Sequence, residues 1–210
     1  AVLVANPSWW GKRGNVDEAI YVVIQSDATR LAALVSGEVD FVIDPPYQDV
    51  VRLKQEGRFK LTEMTDIGTQ YLGFDQSRTE LEFSDVKGRN PFKDLRVRRA
   101  VYQAIDIDAI VSKVLRGQAK ATGSYFSRLV DGSLPELDRR LPYDPKAARA
   151  LLKEAGYPDG FSVTLDCVNA TFRAAVCQAI AGMLAQVGIR ATFQGLPRPP
   201  RASSSSAGRR

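Results

Sequence analysis

The stretch "DLRVRRAVYQAIDIDAI", residues 94–110, carries three arginines and an apolar stripe in one short span. Its reading separates two classes of protein. As a recognition element it would be the basic helix of a helix-turn-helix module, held against phosphates by Arg96, Arg98 and Arg99. As a packing element it is a core helix. The spacing favours packing. Asp94 caps a helix in which Val97, Ala100, Val101, Ala104 and Ile105 recur at the i, i+3, i+4 rhythm of one buried face. The arginines fall between those positions, facing solvent or bridging to acids such as Asp94 and Asp106, and exposed pairs of that kind contribute only about 0 to 1 kcal/mol. Asp106 opens a second helix, with Ile110, Val111, Val114 and Leu115 as its stripe and Gly117 as its stop.

Charge supports packing. The formal balance is +5 over 210 residues. The last fifteen residues, "LPRPPRASSSSAGRR", hold four arginines and no acid, so five less these four leaves +1 for the remainder. A nucleic-acid binder needs its positive charge on a folded reading surface, so nucleic acid is not an expected partner. Histidine is absent and the two cysteines, Cys167 and Cys177, lie ten apart. That leaves little for a zinc or haem site, and neither metal nor cofactor is expected. The thiols are read as two free, buried small hydrophobes, with geometry to decide whether they bridge.

Outward from 94–110 the chain alternates strands and helices. Before it, "AIYVVIQ" (19–25) is a continuous β-branched run suited to a strand buried on both faces. A helix capped by Asp27 follows, with Leu31, Leu34 and Val35 inward and Gly37 as its end. "VDFVID" (39–44) would complete a βαβ unit. After Pro45 and Pro46 a helix over 47–56 turns Val50, Val51 and Leu53 inward and stops at Gly57. "FKLTEM" (59–64) and "TQYLGFD" (69–75) are two further strand candidates. Residues 76–91 are polar and turn-rich, a crossing between subdomains in which Glu80 and Glu82 are solvated. After 94–117 an irregular loop runs to Tyr143. Asp144 and Pro145 then open a helix with Leu151, Leu152 and Ala155 inward, ended by Gly156. "FSVTLD" (161–166), a helix from Thr171 through Val187, and "IRATFQ" (189–194) form a second βαβ unit. Residues 195–210 lose all periodicity and are read as disordered or foreign to the fold.

Six pieces occur in one order: "NPSWW" (6–10), "RLAALVSGEVDFV" (30–42), "YLGFD" (71–75), "PFKDLRVRRAVYQAIDIDAIVSKVLRGQA" (91–119), "YDPKAARALLKEAGYPDGF" (143–161) and "GMLAQVGIRATF" (182–193). Together they resemble the family 5 extracellular solute-binding proteins, which serve ATP-driven importers of dipeptides, oligopeptides and nickel chelates. The resemblance implies an α/β fold of the type II periplasmic-binding-protein kind. It implies parts of two lobes with mixed sheets flanked by helices, here 1–76 and 77–194. A small solute, a di- or oligopeptide, would be held between them and passed to the membrane permease subunits of an ABC transporter, in the periplasm or an equivalent extracytoplasmic space. No chemistry on the solute is implied. No catalytic set emerges from the residues either: a serine nucleophile lacks a histidine base, and "GSYFS" (123–127) does not sit between strand and helix as a phosphate loop requires.

Candidate solute contacts lie at loops and strand ends: Asp44 and Pro45, Gln70 and Tyr71, and Asn169. Tyr71 offers a ring and a hydroxyl, and Asn169 both a donor and an acceptor. Each also has a structural reading: a half-buried core ring for Tyr71, a turn for Asp44, a helix entry for Asn169. Trp9 and Trp10 are read as packing elements and Arg173 as solvent-facing. Family members are longer, so the chain is expected to begin inside the first lobe and stop partway through the second, with an inert remnant as the alternative reading. Half-lobes leave sheet edges uncovered. Marginal stability or self-association of the 210-residue chain is therefore expected on size-exclusion chromatography; a compact, cooperatively melting monomer would contradict this.

Overall fold

The structure, a computed structural model, describes residues 1–168 and 171–196. Two compact units divide the chain, Ala1–Val50 and Val51–Arg210, the division falling inside a helix.

In the first unit a short antiparallel pair joins β1 (Val2–Val4) to β2 (Glu18–Ile20), with Val2 opposite Ile20, and all six residues are exposed. Trp9 and Trp10 stack on each other with ring centroids 4.7 Å apart, Trp10 almost wholly in solvent; they do not pack inward. Helix α1 (Asp27–Ser36) buries Leu31 and Ala33 and ends at Gly37 with φ 81°. Its cap is Ser26, whose Oγ accepts from the Thr29 amide at 3.3 Å. Asp27, expected to cap, pairs with Arg30 at 2.6 Å instead. The buried strand expected over 19–25 is paired only at 18–20 and lies exposed; 39–44 forms no strand, with Phe41 and Ile43 both more than half exposed. The first βαβ unit is therefore absent among the described residues. A β-branched run records a tendency to be covered, and a strand exists only where another supplies the ladder.

Helix α2 (Tyr47–Glu56) spans the division. Val50 and Leu53 are buried as expected, whereas Val51 is exposed. Neither 59–64 nor 69–75 is a strand. The second of these keeps a strand's alternation without its ladder: Leu72 and Phe74 pack on the core while Tyr71 and Gly73 face out.

The second unit is organised by α3 (Leu95–Ala104). Its Asp94 cap accepts from the Arg96 amide at 2.8 Å, and Val97, Ala100, Val101 and Ala104 are buried to within 2%. The next helix, α4 (Ile107–Ala109), is capped by Asp106 and continues as a π-turn over Ile110–Val114, in which the Leu115 amide reaches back to the Ile110 carbonyl at 2.9 Å. Ile110 and Leu115 are buried; Val111 and Val114 are half-buried. Helix α5 (Pro145–Glu154) starts from Asp144, whose own amide donates to the Gln103 carbonyl at 2.8 Å, joining the start of α5 to the end of α3. Ala148 and Leu152 of α5 share a core with the buried face of α3.

Strand β3 (Phe161–Val168), helix α6 (Thr171–Ala185) and strand β4 (Ile189–Leu196) form a parallel βαβ unit, with Phe161 opposite Ile189. β4 runs two residues beyond the expected end, and residues 197–210 of the expected tail lie outside the described residues. Phe161, Val163, Leu184, Val187 and Ile189 complete the core under α3 and α5. At ~1.5 to 3 kcal/mol for each large apolar side chain buried, this cluster is the main source of stability. The rings of Phe74, Phe92, Phe161 and Tyr157 run through it in steps of 5.0, 6.0 and 5.0 Å.

Two of the three arginines of α3 serve this packing, while Arg99 is exposed. Arg96 holds Asp94 at 2.6 Å and donates to the Glu154 carbonyl at the end of α5 at 2.8 Å, where a cation also complements the helix dipole. Arg98 donates to the carbonyls of Phe92 and Lys93 at 2.7 and 3.0 Å. Asp106 is not the ion partner expected of it; its carboxylate caps α4. The crossing 76–91 is less solvated than its polarity suggests. Buried Asn90 donates to the Asp75 and Arg78 carbonyls and accepts from the Phe92 amide. Asp85 accepts from the Ser162 amide at 2.7 Å and pairs with Arg190 at 2.9 Å; the Ser162 amide first, and Arg190 less, hold its carboxyl below the usual range.

Cys167 and Cys177 form a disulfide, their Cα atoms 6.6 Å apart, which corrects the reading of two free thiols. The return of α6 over the end of β3 brings its second turn within bridging range.

Asp138 fastens the two arms of the irregular segment 118–143. Asp138 Oδ1 accepts from the Gly123 amide at 2.5 Å and the Thr122 hydroxyl at 2.8 Å, and Oδ2 accepts from Arg128 Nε at 2.8 Å. These contacts, the Gly123 amide foremost, pull its carboxyl down to about 2.

Two sets of expectations follow, the first on two glycines. Gly160 has φ 73° and sits against the Gly188 carbonyl, where a Cβ would collide with backbone, so Gly160→Ala should lower stability in urea by more than ~2 kcal/mol. Gly182 lies inside α6 with nothing within 4 Å of a built Cβ, so Gly182→Ala should raise it by ~0.5 to 1 kcal/mol. The second concerns pH. A carboxyl depressed in the folded state stabilises it fully above the ordinary value of 3.8, and that contribution fades as pH falls through about 2. The gap in urea midpoint between the wild type and Asp138→Asn should therefore be constant at pH 5 to 7 and close toward pH 2. A gap independent of pH would contradict the fastening.

Candidate functional site

The parallel β3–α6–β4 unit has a polar face at the carboxyl end of β3, the position where open α/β sheets receive ligands. Arg173 stands in the first turn of α6. Its Nε donates to Gln70 Oε1 at 3.1 Å, and its guanidinium lies 5.6 Å from the Phe172 ring centroid. Its carbonyl oxygen is 3.6 Å from Cys167 Sγ, so the disulfide and the arginine share one turn of structure.

Beside Gln70, Tyr71 is 67% exposed and meets Tyr125 edge-on, centroids 4.9 Å apart and planes at 60°. Tyr125 in turn meets Phe126 at 5.3 Å and 88°. Hydrogen bonding to Tyr71 holds the Tyr125 phenol above its ordinary range. Because the alternation of 69–75 turns Leu72 and Phe74 into the core, Tyr71 is turned out, and the reading of it as a half-buried core ring is corrected. The result is a row of three exposed rings flanked by an amide and a guanidinium. Such a row stacks on planar or apolar groups, while Gln70 and Arg173 offer an acceptor and donors for a peptide unit or a carboxylate.

Of the five residues singled out in the sequence, the structure brings Gln70 and Tyr71 together. Asp44 and Pro45 belong to the first unit. Asp44 is exposed at φ 55°, and its backbone carbonyl accepts from Arg30 at 3.1 Å. Pro45 follows it, half-buried. Asn169 lies outside the described residues. Two residues escaped the sequence reading. Tyr125 and Phe126 were seen only as part of a failed phosphate loop, although adjacent aromatics in a polar, glycine- and serine-containing segment are the available signal. Arg173 was assigned to solvent, and instead it is half-buried and bonded to Gln70. Among the described residues no group of acidic, histidine or cysteine side chains is arranged to hold a metal ion, and no helix is long and apolar enough to cross a membrane.

Comparison with known proteins follows the same lines. The description of the bacterial extracellular solute-binding proteins, family 5 Middle, matches residues 1–208. A putative ABC transporter peptide-binding protein of Brucella ovis is 34% identical over 192 residues, covering 89% of this chain and 34% of the relative. The glutathione-binding protein GsiB of Salmonella choleraesuis is 31% identical over 197 residues, covering 93% of this chain and 36% of the relative. Among solved structures, the ABC transporter-associated periplasmic binding protein DppA of Helicobacter pylori, in complex with the peptide STSA, superposes with a TM-score of 0.70. It is 25% identical, with 93% of this chain and 36% of that one covered. The chain thus spans about a third of the length of the curated relatives it matches. The fold is that of the type II periplasmic binding proteins, and the chain belongs to the bacterial extracellular solute-binding proteins, family 5.

Proposed function

We propose that the full-length protein is the substrate-binding component of an ABC importer, which holds a peptide-type solute between two lobes outside the cytoplasm and hands it to the permease subunits. In this reading residues 1–76 belong to one lobe and 77–194 to the other. Gln70, Tyr71 and Arg173 contribute to the solute site, and Asp44, Pro45 and Asn169 are further candidate contacts. The observation that carries it is the ring, amide and guanidinium cluster at the carboxyl end of β3, set beside the buried core and held by the Arg173–Gln70 hydrogen bond and the Tyr71–Tyr125 ring contact. That arrangement binds and releases; it holds no nucleophile–base pair. The names of the relatives, peptide-binding and glutathione-binding, point to the same solute class. The Cys167–Cys177 disulfide suits an oxidising compartment.

Isothermal titration of the full-length protein against dipeptides, tripeptides and glutathione tests this. One-to-one binding is expected, weakened about three- to tenfold by Tyr71→Ala, as loss of an aromatic contact implies. Absence of binding to every one of these solutes would contradict the proposal.

A further inference from the structure

Tyr125 stands on a segment that has no helix or strand to hold it except the single 3-10 turn Pro135–Leu137. Something other than secondary structure must fix its ring against Tyr71. The segment contains one carboxylate in position to do so. Asp138 gathers Thr122, Gly123 and Arg128, and its side chain is only 8% exposed although all three partners come from a surface loop. The two arms of the loop touch at backbone level there. A Cβ on Gly123 would strike the Arg139 carbonyl, so the close approach admits only glycine. One residue beyond, Arg140 donates through both terminal nitrogens to Asp108 at 3.1 Å, which anchors the same arm to α4. The loop is therefore tied at its base, and Tyr125 and Phe126 lie between two of the tied positions, Gly123 and Arg128.

We propose that Asp138 is the positioning residue of the aromatic row: by tying Thr122, Gly123 and Arg128 together it holds Tyr125 against Tyr71, and through that pair of rings it sets the affinity for a peptide. The proposal rests on the reading of Tyr71 as a solute contact. It adds a residue that touches no solute and a ring, Tyr125, that the sequence does not single out. The physical basis is preorganisation. A ring held in place by the loop loses little freedom when a solute stacks on it, whereas a ring on a loose loop must be ordered at the moment of binding.

The test has a ligand-independent arm and a binding arm, both in the full-length protein. Photo-oxidative cross-linking with mass-spectrometric mapping reads the ring pair directly. A Tyr71–Tyr125 dityrosine should form in the wild type, fall at least severalfold in Asp138→Ala, and recover in part in Asp138→Asn, which keeps one acceptor oxygen for Thr122 and Gly123. Titration with the tripeptides Ala-Phe-Ala and Ala-Ala-Ala reads the consequence. Asp138→Ala and Tyr125→Ala should each weaken binding about three- to tenfold, and the double variant should be no weaker than Tyr125→Ala alone within twofold. Losses that simply multiply in the double variant, or an undiminished cross-link in both Asp138 variants, would overturn the positioning role. Should Asp138→Ala fail to fold, Asp138→Asn carries the same comparison, and a cross-link and affinity equal to wild type in it would also overturn the proposal. If the cross-link depends on Asp138 while the wild type binds neither tripeptide nor glutathione, it is the solute-site reading that fails.

Discussion

Everything else in the second unit rests on the burial of one face of α3. Val97, Ala100, Val101 and Ala104 share one buried cluster with Ala148 and Leu152 of α5 and with Phe161, Val163 and Ile189 of the sheet. Small alanines at 100, 104 and 148 let the elements approach closely, and the larger residues fill the remaining space. Arg96 and Arg98 then tie backbone carbonyls left over at Glu154, Phe92 and Lys93. The covered apolar face, and the bonds of Arg96 and Arg98 to the chain's own backbone, are those of a packing helix.

From that core outward, order is conveyed by a few specific contacts. Asp85 closes the start of the sheet through Ser162 and Arg190. The disulfide fixes the end of β3 to the second turn of α6. Leu72 and Phe74 pin the backbone of the preceding stretch so that Tyr71 faces outward, and Asp138 gathers the loop that brings Tyr125 to it. The candidate site is thus assembled from irregular segments on a rigid scaffold, where adaptable binding surfaces are usually found.

The helices were legible because their signals are local. Asp94, Asp106 and Asp144 cap where they were read to cap, and Gly37 and Gly156 take positive φ at helix ends. The second βαβ unit was legible because β3, α6 and β4 carry their own periodicities within 36 residues, the span from Phe161 to Leu196. The strands over 19–25, 39–44, 59–64 and 69–75 were not, since a ladder partner is a distant fact that no local run of valines and isoleucines encodes. Ser26 displaced Asp27 as a cap because Arg30 claimed the carboxylate. The Cys167–Cys177 bond depended on how α6 folds back, and Tyr125 on a long-range loop contact. Gln70 and Tyr71 were singled out from their place in a candidate strand, although that strand does not form.

The α3–α5 packing on the β3–β4 pair should be the most protected structure of the second unit. Hydrogen exchange followed by mass spectrometry measures this directly. The amides of α3, α5, β3 and β4 should exchange slowest and with a common opening, while residues 59–68 exchange orders of magnitude faster. Exchange in α3 as rapid as in 59–68 would contradict the central claim that this helix is buried scaffold.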